Sequence, residues 1–249
     1  MRKKPGERNL KIGKSMRSKF FRFACWGILV GLVWIGLEPI SSRSREVTPR
    51  MACARNLSQM GLVHKMYANE SEGHYLPALS DADNLIFPLP EVYPEYLADS
   101  RVLICPEVTK KVGKEPSPAE DYANRGYVYF GYALGNEEEM LAFLESYPAF
   151  MKEGADFSKD LPAPKGRGSF GGDTFVRLRE DLLEDFPEVD LSALPVMMDA
   201  RRIHPYRKYP KKKLGYNVLY MDGHVEYHKY PGDFPATEGI AAALHAVLD

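Results

Sequence analysis

Residues 217–230 read NVLYMDGHVEYHKY, and the fold turns on whether this stretch is a metal site or a turn. Asp222, His224 and His228 are oxygen and nitrogen donors of the kind that hold catalytic zinc or iron. Against that, Val218, Tyr220, Val225 and Tyr227 alternate as β-branched or aromatic residues on either side of an Asp-Gly pair. Asp-Gly between two alternating runs signals a two-residue hairpin, because the turn needs positive φ at both central positions. On one extended strand, His224 and His228 share a face but stand about 13 Å apart at ~3.3 Å per residue. That separation argues against direct chelation of one ion by the pair. Periodicity therefore favours the hairpin, with Asp222 and Gly223 as its turn.

Outward from the hairpin, the chain has 249 residues with a net charge of −1, which hides an asymmetry. Residues 1–37 carry nine Lys or Arg and one acid, leaving 24 basic against 33 acidic residues elsewhere. An acidic main domain speaks against a nucleic-acid partner. After the basic head (residues 1–19) comes FFRFACWGILVGLVWIGL, residues 20–37. As a helix these 18 residues span roughly 27 Å, close to a bilayer core if Arg22 snorkels to the headgroups. The basic flank predicts an N-terminus in the cytoplasm and a domain, residues 38–249, outside it. Ile40-Ser41-Ser42 is a poor cleavage site, so the segment reads as a retained anchor. Cys25 falls within the anchor, which leaves Cys53 and Cys105 in an exporting compartment. Two thiols in an oxidising space suggest one disulfide, contributing about 4 kcal/mol by the chain-entropy model, although two separate buried thiols are the alternative.

Thr48-Pro49 reads as a helix cap followed by proline at the first helical position. Cys53, Leu57, Met60, His64 and Tyr67 then recur at spacings of four and three, predicting an amphipathic helix that ends near residues 69–73. His64, within the apolar stripe, reads as a hydrogen-bonded, partly buried side chain. Further elements follow: a strand at 101–107, a charged loop at 110–121, a strand at 127–134 and helices at 136–147 and 173–186. A strand at 195–200, the hairpin and a helix at 237–248 complete the chain. The order argues α+β: a long N-terminal helix, part membrane and part amphipathic, packed on a small antiparallel sheet with helical and loop insertions, chiefly at about 110–194.

Other strings tempt less. Gly166, Gly168 and Gly171 match a dinucleotide fingerprint, but LPAPK precedes them where a strand is required. No nucleophile-elbow context supports a Ser-His-Asp or Cys-His arrangement. The tract RRIHPYRKYPKKK, residues 201–213, carries Arg201, Arg202, Arg207, Lys208, Lys211, Lys212 and Lys213 interleaved with Tyr206 and Tyr209. It could meet an anionic polymer or lipid headgroups, or stand as a solvated loop. Asp199, Asp222 and His224, with His204, form the best set for a metal-dependent hydrolase.

Taken together, the apolar segment, PISSRSREVTPRMACARNLSQMGLVHKMYANESEGHYLP at 39–77, the Cys105-Pro106 pair and NVLYMDGHVEY near the end resemble the prepilin-type, type II secretion pseudopilin-like family. The resemblance covers about residues 20–107 and 195–230. It implies a long N-terminal helix on a small antiparallel sheet, anchored in the inner membrane and facing outward, with structural duties and no catalysis. It also implies partners among envelope or secretion-system proteins, no cofactor and no small-molecule substrate. Cys53 and Cys105 correspond to positions where the family often carries cysteines. The chain departs from the pattern in three places. Arg17 stands where a prepilin peptidase substrate has its glycine, and Gly13 is followed by charged residues and does not replace it. Arg22 stands where the family's glutamate neutralises a neighbour's amino terminus, and an arginine would repel it. Lys212 occupies a place where the family often has histidine. The scaffold is thus expected without filament entry.

Overall fold

A computed structural model describes residues 50–80, 85–105, 126–200 and 214–248, which belong to one compact unit, Pro49–Asp249. The first element is helix α1, residues 50–70. Its predicted stripe is the face that packs: Cys53, Leu57 and Met60 are fully buried, while Arg55, Ser58 and Gln59 stay exposed. Each large apolar side chain so buried contributes roughly 1.5–3 kcal/mol. The helix stops where Ser71 turns its hydroxyl onto the carbonyls of Ala68 and Tyr75 and Gly73 takes a left-handed φ of 73°.

The sheet is antiparallel throughout, with strands β1 (Tyr127–Tyr129), β4 (Pro195–Asp199), β5 (Leu214–Tyr220) and β6 (Val225–Tyr230) in the order β1-β4-β5-β6. Between β1 and β4 lies a second, two-stranded ribbon of β2 (Leu161–Pro162) and β3 (Thr174–Phe175). β5 is central and buried on both faces. Asn217 and Leu219 turn toward α1, and Tyr216, Val218 and Tyr220 turn the other way. A Cβ at Gly61 would come within 2.9 Å of Leu219 Cδ1, so glycine allows α1 to press directly onto β5. On the edge strand β6 Glu226 and Lys229 are exposed and the other residues half-buried, and Arg50 of α1 lays its guanidinium 4.3 Å over the Tyr227 ring.

Helix α2 (Glu137–Glu153) starts at Asn136, whose side chain accepts from Glu139 N, and ends at Gly154 with a φ of 66°. Its aromatic stripe of Phe143, Tyr147 and Phe150 packs on Tyr132, Phe157 and Phe175. Helix α3 (Glu238–Leu248) lies against α2, with Thr237 donating to Glu137 Oε1 at 2.5 Å. The chain is therefore mixed helix and sheet, as its element order predicts.

Several expectations need correction. The hairpin is present, but its loop is three residues long: Leu219 pairs with Val225, Tyr220 N donates to His224 O, and Gly223 N donates to Tyr220 O. Gly223 has a φ of 96°, whereas Asp222 is not among the residues with positive φ, so this is the longer turn class closed by a glycine bulge. At the start of the strand expected over 101–107, Ser100–Leu103 form a 3-10 turn, because Asp99 accepts from Arg101 N and caps it, and residues 106–107 and the expected loop at 110–121 lie outside the described residues. In place of a helix at 173–186, the backbone runs extended: Leu178 bonds Gly131 and Leu76, and Ala133 bonds Val176. A single helical turn, Leu182–Asp185, follows. α2 continues six residues past the expected end, through Pro148, because burial of Phe150 extends its packing face. The span 110–194 is not wholly an insertion, since β1 within it is an edge strand of the main sheet. Among the described residues no helix is long and apolar enough to cross a membrane, and the head and apolar run, residues 1–37, lie outside them.

Candidate functional site

Two places concentrate chemistry: the junction of α1 with the hairpin, and a cleft built by the excursion between β1 and β4. At the hairpin, Asp222 Oδ1 accepts from His224 N at 3.0 Å and meets His224 Nδ1 at 2.6 Å. Partial burial works to raise the Asp222 carboxyl, but these bonds and nearby Lys65 hold it below its usual range. Lys65 Nζ reaches from α1 to the Asp222 carbonyl at 2.9 Å and clamps the turn to the helix. The His224 ring stacks on Tyr220 at 4.6 Å and 4°, and the Tyr220 hydroxyl pairs with His228 Nε2 at 2.7 Å. Burial, assisted by Glu226, pushes that hydroxyl up to about 12.

Asp199 is elsewhere. It is buried on β4, and its Oδ2 accepts from Asn217 N at 2.8 Å and Asn217 Nδ2 at 2.7 Å. Asn217 precedes Asp222 by five residues, about 16 Å of strand at ~3.3 Å per residue. The structure therefore does not bring Asp199, Asp222 and His224 together. Among the described residues, no group of three or more His, Cys, Asp or Glu is placed to hold a metal ion. His204 and the whole tract 201–213, with its seven basic residues, lie outside the described residues.

Behind Asp199 sits a buried polar knot. Cys53 of α1 and Cys105 are fully buried thiols that are hydrogen-bond partners, and this contact, then burial, pushes the Cys53 thiol far up. Tyr127 of β1 lies beside both, its hydroxyl held well above its usual range by burial first and by these neighbours after. Asn56 donates to the Ile104 carbonyl at 3.2 Å, and Asn217 Nδ2 donates to the Arg50 carbonyl at 3.2 Å. The knot ties the start of α1 to the 104–105 segment and to two strands.

The cleft, of about 510 Å³, is formed by the N-terminus of α2, the loop at Gly166–Gly171 and residues 188–194. Phe170, Val189 and Leu194 supply apolar wall, and Glu138, Glu188 and Asp190 are acidic. Glu139 lies buried beneath, its two oxygens accepting from Gly135 N and Gly171 N. The glycines that mimic a dinucleotide fingerprint belong here as loop structure, and a Cβ at Gly168 would meet Thr174 O at 2.5 Å. No sequence signal marks this cleft, since its walls come from three separated segments. No protein-family model, curated protein or solved structure matches the chain.

Proposed function

We propose that this chain is a non-catalytic, membrane-anchored protein of the cell envelope, resembling pseudopilins, whose outward-facing domain serves assembly or interaction. The observation that carries this reading is the commitment of the hairpin's reactive groups to structure. Asp222 and His224 are spent on each other and on the turn, and Lys65 fastens that turn to α1. A helix laid on a small antiparallel sheet with its terminal hairpin clamped beneath it is a scaffold for presenting surfaces. The contact between Cys53 and Cys105 supports a disulfide in an oxidising compartment, the two thiols giving two protons and two electrons to an external disulfide that is reduced to a dithiol.

Protease treatment of intact spheroplasts tests the topology. The reading expects the domain after residue 38 to be digested while the N-terminal tail is protected, and full protection of the chain would overturn it. A second role, capture of an anionic envelope polymer through residues 201–213, rests on the seven cations in that tract. Salt-sensitive retention on the polymer, lost when Lys211, Lys212 and Lys213 become alanine, is its expected result, and no retention at low salt removes it.

A further inference from the structure

His64 departs from the sequence expectation in an informative way. It is only 2% exposed, and neither ring nitrogen has a hydrogen-bond partner. The ring is packed between Tyr129, stacked at 5.1 Å, and Phe87, edge-on at 5.1 Å. The Tyr129 hydroxyl donates to the Pro77 carbonyl at 2.7 Å. A buried imidazole without partners is tolerated when neutral and costly when charged.

Its position gives that cost a lever. A cavity of only about 10 Å³ joins His64 to Gly61 and Lys65 of α1, to Glu180, and to Tyr220 and Gly223 of the hairpin. That is about the space of one water, too little for a hydrated counter-ion. The charged and titratable groups around it are engaged elsewhere. Lys65 holds the Asp222 carbonyl, and the Tyr220 hydroxyl pairs with His228. Burial raises the Glu180 carboxyl, against the pull of Lys65 and His74. Arg177 and Glu91 act on Tyr129 from beyond the ring. Burial alone lowers the imidazole to about 3.

We propose that His64 is an acid-operated latch: neutral, it lets α1 lie on the sheet against the hairpin turn, and protonation expels the ring and loosens that junction. The direction follows from linkage. The closed state binds the proton less well than the open one, so closure is complete above the ordinary histidine pKa of ~6.5 and weakens as pH falls through it toward about 3. Between pH 7.5 and 5.0 the opening equilibrium rises about 30-fold, the ratio of open-state proton binding for a pKa of ~6.5. The latch does not depend on the envelope reading above.

Hydrogen exchange of the full chain in detergent, corrected for the intrinsic pH dependence of exchange, tests it on peptides from α1 and the hairpin. Wild type is expected to lose about 30-fold protection there between pH 7.5 and 5.0. His64→Gln and His64→Phe are expected to abolish that loss, and Glu180→Gln to preserve it. An equal loss in wild type and both His64 variants, or no loss in wild type, overturns the latch. Should both variants fail to fold, the imidazole resonance of wild type decides. A ring that charges only as α1 opens agrees, and a ring titrating near pH 6.5 with α1 still protected overturns it.

Discussion

The seam of α1 with the sheet and the excursion from residue 130 to 194 are built on different physics. At the seam, burial follows a period: Cys53, Leu57, Met60 and His64 recur on one buried helical face, Gly61 presses on Leu219 of β5, and His64 stacks on Tyr129 of β1. In the excursion, extended backbone is fixed by bonds to segments distant in sequence, and turns are fixed by side chains such as Asn136, Asp156 and Asp190. Arg177, buried, donates to the carbonyls of Ser158 and Leu76 and covers the Tyr75 ring at 4.6 Å. Periodic burial gives a scaffold that tolerates polar change on its outside, whereas bond-by-bond anchoring gives one that fails at single polar residues.

Substitutions can break this comparison, and the largest effect is expected in the aromatic core of the excursion. Phe143→Ala removes a fully buried ring that contacts Tyr132, Tyr147 and Phe175, and should cost about 3–5 kcal/mol in denaturant unfolding. Leu57→Ala at the seam should cost about 2–5 kcal/mol. If the two regions are as different as proposed, hydrogen exchange will rise around α1 and β5 in Leu57→Ala and around α2 and β3 in Phe143→Ala. Uniform exposure in both would mean one cooperative unit. Asp199→Ala leaves two Asn217 donors without their acceptor and should cost about 1–3 kcal/mol. Asn136→Ala, which removes the cap of α2, should cost about 1 kcal/mol, measured as a shift in unfolding midpoint at constant m-value.

The same contrast decides what was legible in the sequence. The stripe of α1 and the alternation around Asp222-Gly223 are periodic, so both elements could be placed from residue order alone. The loop class could not, because glycine at Gly223 suits a two-residue turn and a three-residue loop equally, and only the pairing of Leu219 with Val225 separates them. Residues 173–186 carry apolar side chains at spacings that imitate a helix, yet their backbone partners are Gly131, Ala133 and Leu76, contacts that no local pattern reveals. For His64 the stripe predicts the buried face correctly, but the expected hydrogen bond is absent, since periodicity predicts burial and says nothing of partners. The cleft was invisible because it exists only once Gly135, Gly166 and Leu194 are brought together.

Intact mass of the native protein from the membrane fraction, taken under non-reducing conditions with an N-terminal sequence, tests the central claim most directly. A full-length chain lighter by two hydrogens is the predicted result: a retained anchor and a Cys53–Cys105 disulfide formed outside the cytoplasm. Full-length protein recovered from the soluble fraction with both thiols free would contradict it. So would a membrane-bound chain that begins just before the apolar run with a methylated amine, because filament assembly would then be its fate despite Arg17 and Arg22.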